Sequence, residues 1–141
     1  MKVCIVNPDS IFFQGDVEEL VLPTTTGYMG VLKNHCQLTT TLDNGVFVLR
    51  EGTAWKIFSV GKGFSIIKDN RVDIVCLSIE EAANINIAEA EQRVATARAG
   101  MDASKAKRPG PVYIQNQLVF DRERGRVKAH RMWQSPPLYM K

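Results

Sequence analysis

Short apolar runs separated by turn residues dominate the chain from residue 2 to about residue 80. Valine, isoleucine, leucine and phenylalanine concentrate in runs at 3–6, 17–22, 46–49, 55–60, 64–67 and 72–77. Turn-forming residues interrupt these runs, as in Pro8-Asp9, Asp43-Asn44-Gly45 and Asp69-Asn70. Runs of this length at this spacing predict an antiparallel β-sandwich or β-barrel.

The pattern changes after Ser78. Asn86 is followed three residues later by Glu89, which is typical of a helix N-terminus. Apolar residues then recur at steps of three and four, at Ile87, Ala90, Val94, Ala97 and Met101. This spacing predicts one amphipathic helix with a narrow apolar stripe.

A second helix is expected closer to the C-terminus. Pro109-Gly110-Pro111 cannot continue the first helix, so the chain must turn there. The second helix is predicted from near Gln115 to near Trp133, with a weak apolar stripe interrupted by charge. Gly125 lowers its intrinsic stability by up to about 1 kcal/mol relative to alanine.

Together these patterns predict an α+β fold with two domains. A β domain would cover residues 1–84, and a helical hairpin would cover residues 85–141. A hairpin with so little apolar area is expected to dock weakly and to be able to move.

Charge is distributed unevenly along the chain, although the net charge is only +3. Between residues 105 and 131 there are eight basic residues and two acidic ones. The basic ones are Lys105, Lys107, Arg108, Arg122, Arg124, Arg126, Lys128 and Arg131. Such asymmetry suggests an acidic partner, a nucleic acid or a membrane surface, and a solvated basic helix face explains it equally well.

Candidate catalytic and metal-binding residues are few, and their patterns are poor. His35 and Cys36 are adjacent, so in an extended segment they point to opposite faces and chelate poorly. His130 lies among basic residues, which disfavour a bound cation. Gly61-Lys62-Gly63 lacks the length and ending of a phosphate-binding loop and fits a tight β connection. The sequence therefore predicts no enzyme, no metal and no cofactor.

Residues 22–35, LPTTTGYMGVLKNH, resemble the signature of the epsilon subunit family of F-type ATP synthases. The similarity continues at 42–46, 61–64, 70–72 and 81–86, and it covers about residues 2–100 closely. The Lys-Asn-His ending and the Asn-Ile-Asn before the first helix are most similar to plastid-type members.

The resemblance implies a β-sandwich of about ten strands followed by a two-helix hairpin. It also implies a non-catalytic rotor subunit that binds the gamma subunit and the membrane c-ring, and whose hairpin restrains ATP hydrolysis by moving. An acidic loop of the catalytic beta subunits would receive the hairpin. The expected location is the stromal side of the chloroplast thylakoid membrane, or alternatively the cytoplasmic side of a bacterial inner membrane. No homo-oligomer and no nucleic-acid partner are expected.

Two groups of residues are candidates for partner binding under this resemblance. The first is a loop predicted from Gly27 to His35, with Tyr28 and Met29 at its tip and with Asn34 and His35 at its end. A plain hairpin in which Tyr28 covers its own sheet is the structural alternative. The second group is the basic face of the second helix, formed by Arg122, Arg124, Arg126 and Lys128.

Some positions depart from the family pattern. Tyr28 stands where many relatives carry Glu or Gln, and the tail from Trp133 to Lys141 is unlike the family. Some bacterial members of the family bind ATP through the pattern Ile-Asp-x-x-Arg at the first helix. Here Asn86 stands in place of the Asp and Glu89 in place of the Arg, so no nucleotide site is predicted. The competing hypothesis for the whole chain is a free-standing nucleic-acid-binding β module with a basic tail.

Overall fold

The computed structural model describes residues 1–104 and 110–140. Ten strands are followed by two α-helices and connected by short turns. The strands are β1 (Lys2–Val6), β2 (Ile11–Asp16), β3 (Glu19–Thr24), β4 (Gly27–Leu32), β5 (Leu38–Leu42), β6 (Gly45–Glu51), β7 (Ala54–Val60), β8 (Gly63–Lys68), β9 (Arg71–Cys76) and β10 (Ile79–Glu81). The helices are α1 (Ile87–Ala103) and α2 (Pro111–Gln134).

The strands form a sandwich whose layers follow the order β10-β7-β6-β3 and β5-β8-β9-β1-β2, with β4 added beside β3. A single pair, Thr24 with Leu42, joins the two layers through β3 and β5. Neighbouring strands pair antiparallel except β1 and β9, which pair in parallel from Lys2–Arg71 to Val6–Val75. The predicted sandwich of about ten strands is confirmed, with this parallel pair as an exception to its antiparallel character.

Large apolar side chains fill the space between the two layers, and we call this cluster the main core. Ile5, Leu20, Phe47, Leu49 and Ile74 are among its members, and each is at most 2% exposed. The side chains come from strands of both layers because alternate residues of a strand point to one face. Burial also raises the pKa of the Cys76 thiol to about 11.

Four strands lie outside the apolar runs of the sequence analysis, namely β2, β4, β5 and β10. The segment Ile11–Asp16 forms β2 at the edge of the sheet beside β1. The loop predicted from Gly27 to His35 is wrong for its first six residues, because Gly27–Leu32 forms β4 and pairs with β3. The threonine-rich sequence is the hairpin turn itself: Gly27 has a φ of 129° and its carbonyl accepts a hydrogen bond from the Thr24 hydroxyl.

The helix boundaries follow from local chemistry. Asn86 caps α1 as predicted, and its side chain accepts a hydrogen bond of 3.3 Å from the Glu89 backbone N–H. Helix α2 begins at Pro111, four residues before the predicted start, because proline is well tolerated in a first helical turn. Lys105, Lys107, Arg108 and Pro109, which carry part of the predicted basic segment and turn, lie outside the described residues.

The two helices pack against each other, and α2 lies on β6 and β7. A second apolar cluster, which we call the hairpin interface, joins them to the sandwich. It comprises Val46, Val48, Ile57, Ala82, Ile85, Ala90, Val127 and Ala129. None of the described helices combines the length and the apolar character that crossing a membrane requires.

Candidate partner-binding surfaces

Tyr28 and Lys128, taken from the two predicted groups, contact each other. The Lys128 ammonium donates a hydrogen bond of 2.9 Å to the Tyr28 hydroxyl and lies 4.8 Å from the centre of the ring. Tyr28 remains 52% exposed. The contact joins β4 to α2, so one surface patch combines a sandwich residue with a hairpin residue.

Met29 differs from its neighbour because successive side chains of a strand point to opposite faces. It pairs with Leu22 across the β3–β4 ladder and packs partly buried against the main core. Its predicted place at a loop tip is therefore wrong, and its role in partner binding stays a prediction.

Asn34 and His35 lie at the opposite end of β4 from Tyr28. Asn34 adopts a left-handed conformation with a φ of 61°, and its N–H donates to the Asn70 side chain at 2.9 Å. The Nδ1 atom of His35 lies 2.7 Å from the Cys36 carbonyl oxygen. The structure thus divides the predicted loop site into two separate surfaces, one at Tyr28 and one at the turn of Asn34.

The predicted basic face of α2 is not uniform. Arg122, Arg124 and Lys128 are exposed, whereas the Arg126 side chain is only 16% exposed. Its guanidinium donates to Glu80 at 2.9 Å and to Glu123 at 2.7 Å. Burial disfavours the Arg126 cation, but the hydrogen bonds to Glu123 and Glu80 outweigh this effect and raise its pKa. In this conformation Arg126 is engaged within the chain.

Glu123 is a central residue that the sequence analysis missed. It is 0% exposed although it is charged. Its carboxylate lies 3.1 Å from Arg122, 2.7 Å from Arg126 and 3.7 Å from Arg93. A buried carboxylate needs such partners because the desolvation of an unpaired charge costs several kcal/mol. The one sequence signal that pointed to Glu123 was its position as an acidic residue within a basic run, three residues before Arg126.

The Glu123 cluster connects three parts of the fold. Arg93 belongs to α1, Glu123 and Arg126 belong to α2, and Glu80 belongs to β10 of the sandwich. These side chains also line a cavity of about 390 Å³ between the hairpin and the sheet edge. The cluster is therefore an electrostatic joint between the hairpin and the sandwich.

Gly125 has a packing role that its low helix propensity did not reveal. A Cβ atom at this position would lie 3.3 Å from the Gly45 backbone nitrogen and 3.5 Å from its Cα. A side chain at this position would therefore press on the backbone at the start of β6, which would have to shift slightly to admit it. The glycine that weakens the helix thus avoids a tight contact where the helix docks.

His130 is a structural residue in this conformation. It is 7% exposed, and its Nδ1 atom lies 3.2 Å from the Ala82 carbonyl oxygen, which ties α2 to the end of the sandwich. Across residues 1–104 and 110–140, no group of three or more His, Cys, Asp or Glu side chains is arranged to hold a metal ion.

Known proteins resemble both the sandwich and the helical part of the chain. Residues 1–82 match the family model of the ATP synthase Delta/Epsilon chain, beta-sandwich domain. The chloroplastic ATP synthase epsilon chain of Ostreococcus tauri is 51% identical over 133 residues, which cover 94% of this chain and 92% of that one. The chloroplastic epsilon chain of Chlorella vulgaris is 36% identical over 129 residues, covering 92% and 94%.

Solved structures resemble the fold as well. A chain of the Euglena gracilis mitochondrial ATP synthase, from an OSCP/F1/c-ring assembly in rotational state 1, matches with a TM-score of 0.76 at 22% identity over 87% of this chain and 76% of that one. A chain of the Tetrahymena thermophila mitochondrial ATP synthase central stalk and c-ring matches with a TM-score of 0.59 at 11% identity over 96% of both chains. At such low sequence identities, the two solved structures show a shared fold alone.

Proposed function

This chain belongs to the delta/epsilon family of ATP synthase chains, and on that premise we propose that it is a non-catalytic central-stalk subunit of an F-type ATP synthase. The family match and the epsilon-chain relatives confirm the resemblance drawn from residues 22–35. The observation that carries the proposal is this membership together with a closely packed sandwich on which two helices are docked.

The sandwich domain, residues 1–84, is the rotor-binding part of the proposal. Its partners are the gamma subunit and the membrane c-ring, and its candidate contacts are Tyr28 and Met29 at one surface and Asn34 and His35 at the other. A part that transmits torque must not deform, and the closely packed main core meets that requirement.

The hairpin domain, residues 85–141, is the regulatory part of the proposal. In the docked conformation Arg126 is bound to Glu80 and Glu123, and Lys128 is bound to Tyr28. On leaving the sandwich, α2 would exchange Glu80 and Tyr28 for the acidic loop of a catalytic beta subunit and so restrain hydrolysis, while Glu123 moves with Arg126 because both belong to α2. An exposed contact such as that of Lys128 contributes only about 0 to 1 kcal/mol, so its exchange is reversible.

The proposed location follows from the relatives. Those of Ostreococcus tauri and Chlorella vulgaris are chloroplastic epsilon chains. We place this chain on the stromal side of the thylakoid membrane, attached through the complex as a monomeric subunit. The bacterial inner membrane is the alternative, since an epsilon chain of Synechococcus is 33% identical over 125 residues.

Reconstitution tests the regulatory part. Adding the chain to an epsilon-depleted ATPase should lower its rate of ATP hydrolysis. The double variant Arg124→Gln/Lys128→Gln should inhibit hydrolysis roughly threefold less strongly than the unaltered chain. This difference between the two chains should shrink at high salt, because exposed ion pairs are weak and screened.

A matched control removes the same charge elsewhere. Arg98→Gln/Lys68→Gln alters two exposed cations, one on α1 and one on β8. It should inhibit as the unaltered chain does. Equal inhibition by both double variants would contradict the electrostatic contact, and failure of the unaltered chain to inhibit would contradict the restraint itself.

A further inference from the structure

The chain does not end with α2 but turns back towards the sandwich. The Ser135 N–H donates to the Arg131 carbonyl at 3.0 Å and closes the helix. Pro136 and Pro137 then redirect the chain, and the Met140 N–H donates to the Pro137 carbonyl at 3.0 Å in a final 3₁₀ turn. We call residues 135–140 the strap.

The strap rests on β7 of the sandwich. The Tyr139 ring meets the Trp55 ring edge to face, with 5.7 Å between centres and an angle of 76°. Arg50 lies over the same indole at 5.5 Å. Met140 packs against the hairpin interface. A segment attached covalently to α2 is therefore also held by side chains of the sheet.

These contacts lie beside an apolar cavity between α2 and the sheet. Beneath the strap, Tyr139 and Met132 line an apolar cavity of about 360 Å³ together with Val21, Val46 and Val48 of the sheet. Tyr139 lies at the border between α2 and the sheet, and its contact with Trp55 adds to the attachment at this end of α2.

We propose that the strap is a reversible latch that holds the C-terminal end of α2 on the sandwich and limits how often the hairpin leaves it. Tyr139 remains 59% exposed, so its contact breaks without unfolding the sandwich. The regulatory meaning of the latch rests on the proposed function, whereas the latch itself is a property of the isolated chain.

Hydrogen exchange of the isolated full-length chain tests the latch directly. Tyr139→Ala should accelerate amide exchange in the last three turns of α2 roughly fivefold, because edge-to-face pairs contribute measurably beyond their buried area. Amides of β6 should keep their protection, since the main core is untouched. Tyr139→Phe retains the ring and should exchange as the unaltered chain does.

The matched control is Leu138→Ala, which shortens an adjacent side chain that is 85% exposed. It should leave exchange unchanged. Unaltered α2 exchange in Tyr139→Ala would overturn the latch. Equal acceleration by Leu138→Ala would also overturn it, as would a loss of protection that extends to β6.

A second measurement separates the latch from the proposed function. In the reconstituted ATPase, Tyr139→Ala should inhibit hydrolysis more strongly than the unaltered chain, because the hairpin is released more often. If α2 exchange accelerates while hydrolysis is never inhibited by either chain, the latch stands and the proposed restraint fails. If inhibition is normal and α2 exchange is unchanged by Tyr139→Ala, the restraint stands and the latch fails.

Discussion

Two apolar interfaces share strand β6, and they are built differently. Phe47 and Leu49 point into the main core, whereas Val46 and Val48 point out towards the hairpin. The main core is filled with valine, leucine, isoleucine and phenylalanine from both layers. The hairpin contributes mainly small residues such as Ala90, Val127 and Ala129, with the Glu123 cluster at its side.

The difference indicates which interface can open. Apolar burial contributes about 25 cal/mol per Å², so large side chains in the main core stabilise far more than alanines at the hairpin interface. The hydrogen-bonded ion pairs and the close glycine contact at the hairpin interface depend on exact placement. We therefore expect the sandwich to persist as a unit while the hairpin leaves it reversibly.

The largest expected effect is a loss of stability in the main core, and it tests the contrast between the two interfaces. Leu49→Ala should lower the free energy of unfolding by about 3 kcal/mol, since it leaves a cavity at a site that is 0% exposed. Val127→Ala, at the hairpin interface, should cost only about 1 kcal/mol. Denaturant titration measures both changes. Equal losses in the two variants would refute the difference between the interfaces.

Removing the buried carboxylate comes next. Glu123→Ala should destabilise the packing of α2 against α1 and the sandwich by about 2 kcal/mol, because Arg93 and Arg126 lose the buried carboxylate between them and Arg126 keeps Glu80 as its remaining close partner. Amide exchange in α2 should accelerate while that of β6 does not. The control Glu91→Ala, which removes an exposed pair with Arg131 at 3.2 Å, should have little effect. Intact α2 protection in Glu123→Ala would show that the electrostatic joint contributes nothing to docking.

The close approach of α2 to β6 at Gly125 predicts a smaller effect, in which a substitution that favours the helix weakens its docking. Gly125→Ala should favour the isolated helix yet weaken docking by a net of about 1 kcal/mol, since its Cβ would press on backbone rather than on a flexible side chain. Hydrogen exchange of α2 measures the outcome, with the exposed Arg124→Ala as the control for helix propensity alone. Greater α2 protection in Gly125→Ala would mean that the contact with Gly45 relaxes easily.

The smallest expected effect concerns the exposed contact between the two regions. A double-mutant cycle of Tyr28→Phe and Lys128→Met should give a coupling energy of about 0.5 kcal/mol, as is typical of exposed cation–π and polar pairs. Unfolding or α2 exchange can be the readout. In a control cycle, the free-energy changes caused by Tyr28→Phe and by the distant Arg98→Gln should be additive. A coupling energy of similar size in this control cycle would contradict a specific contact between Tyr28 and Lys128.

Much of the secondary structure was predictable from local pattern. The runs at 46–49, 55–60, 64–67 and 72–77 all became strands, and Asn86 capped α1 as expected. β4 was missed because a run with two glycines and a tyrosine resembles a loop until its partner β3 is known. The candidate site was less predictable, since the fate of each cation of α2 depends on which acids lie opposite it in space.

The amino-acid sequence determined the features that act over a few residues: strand and helix periods, caps, turns, and the signature of residues 22–35 that identified the family. Tertiary structure alone decided the parallel pairing of β1 with β9, the burial of Glu123 and the contact of Tyr28 with Lys128 a hundred residues away. The physical reason is that periodicity and turn chemistry arise between neighbours in the chain. Pairing, desolvation and charge compensation depend on which distant segments meet.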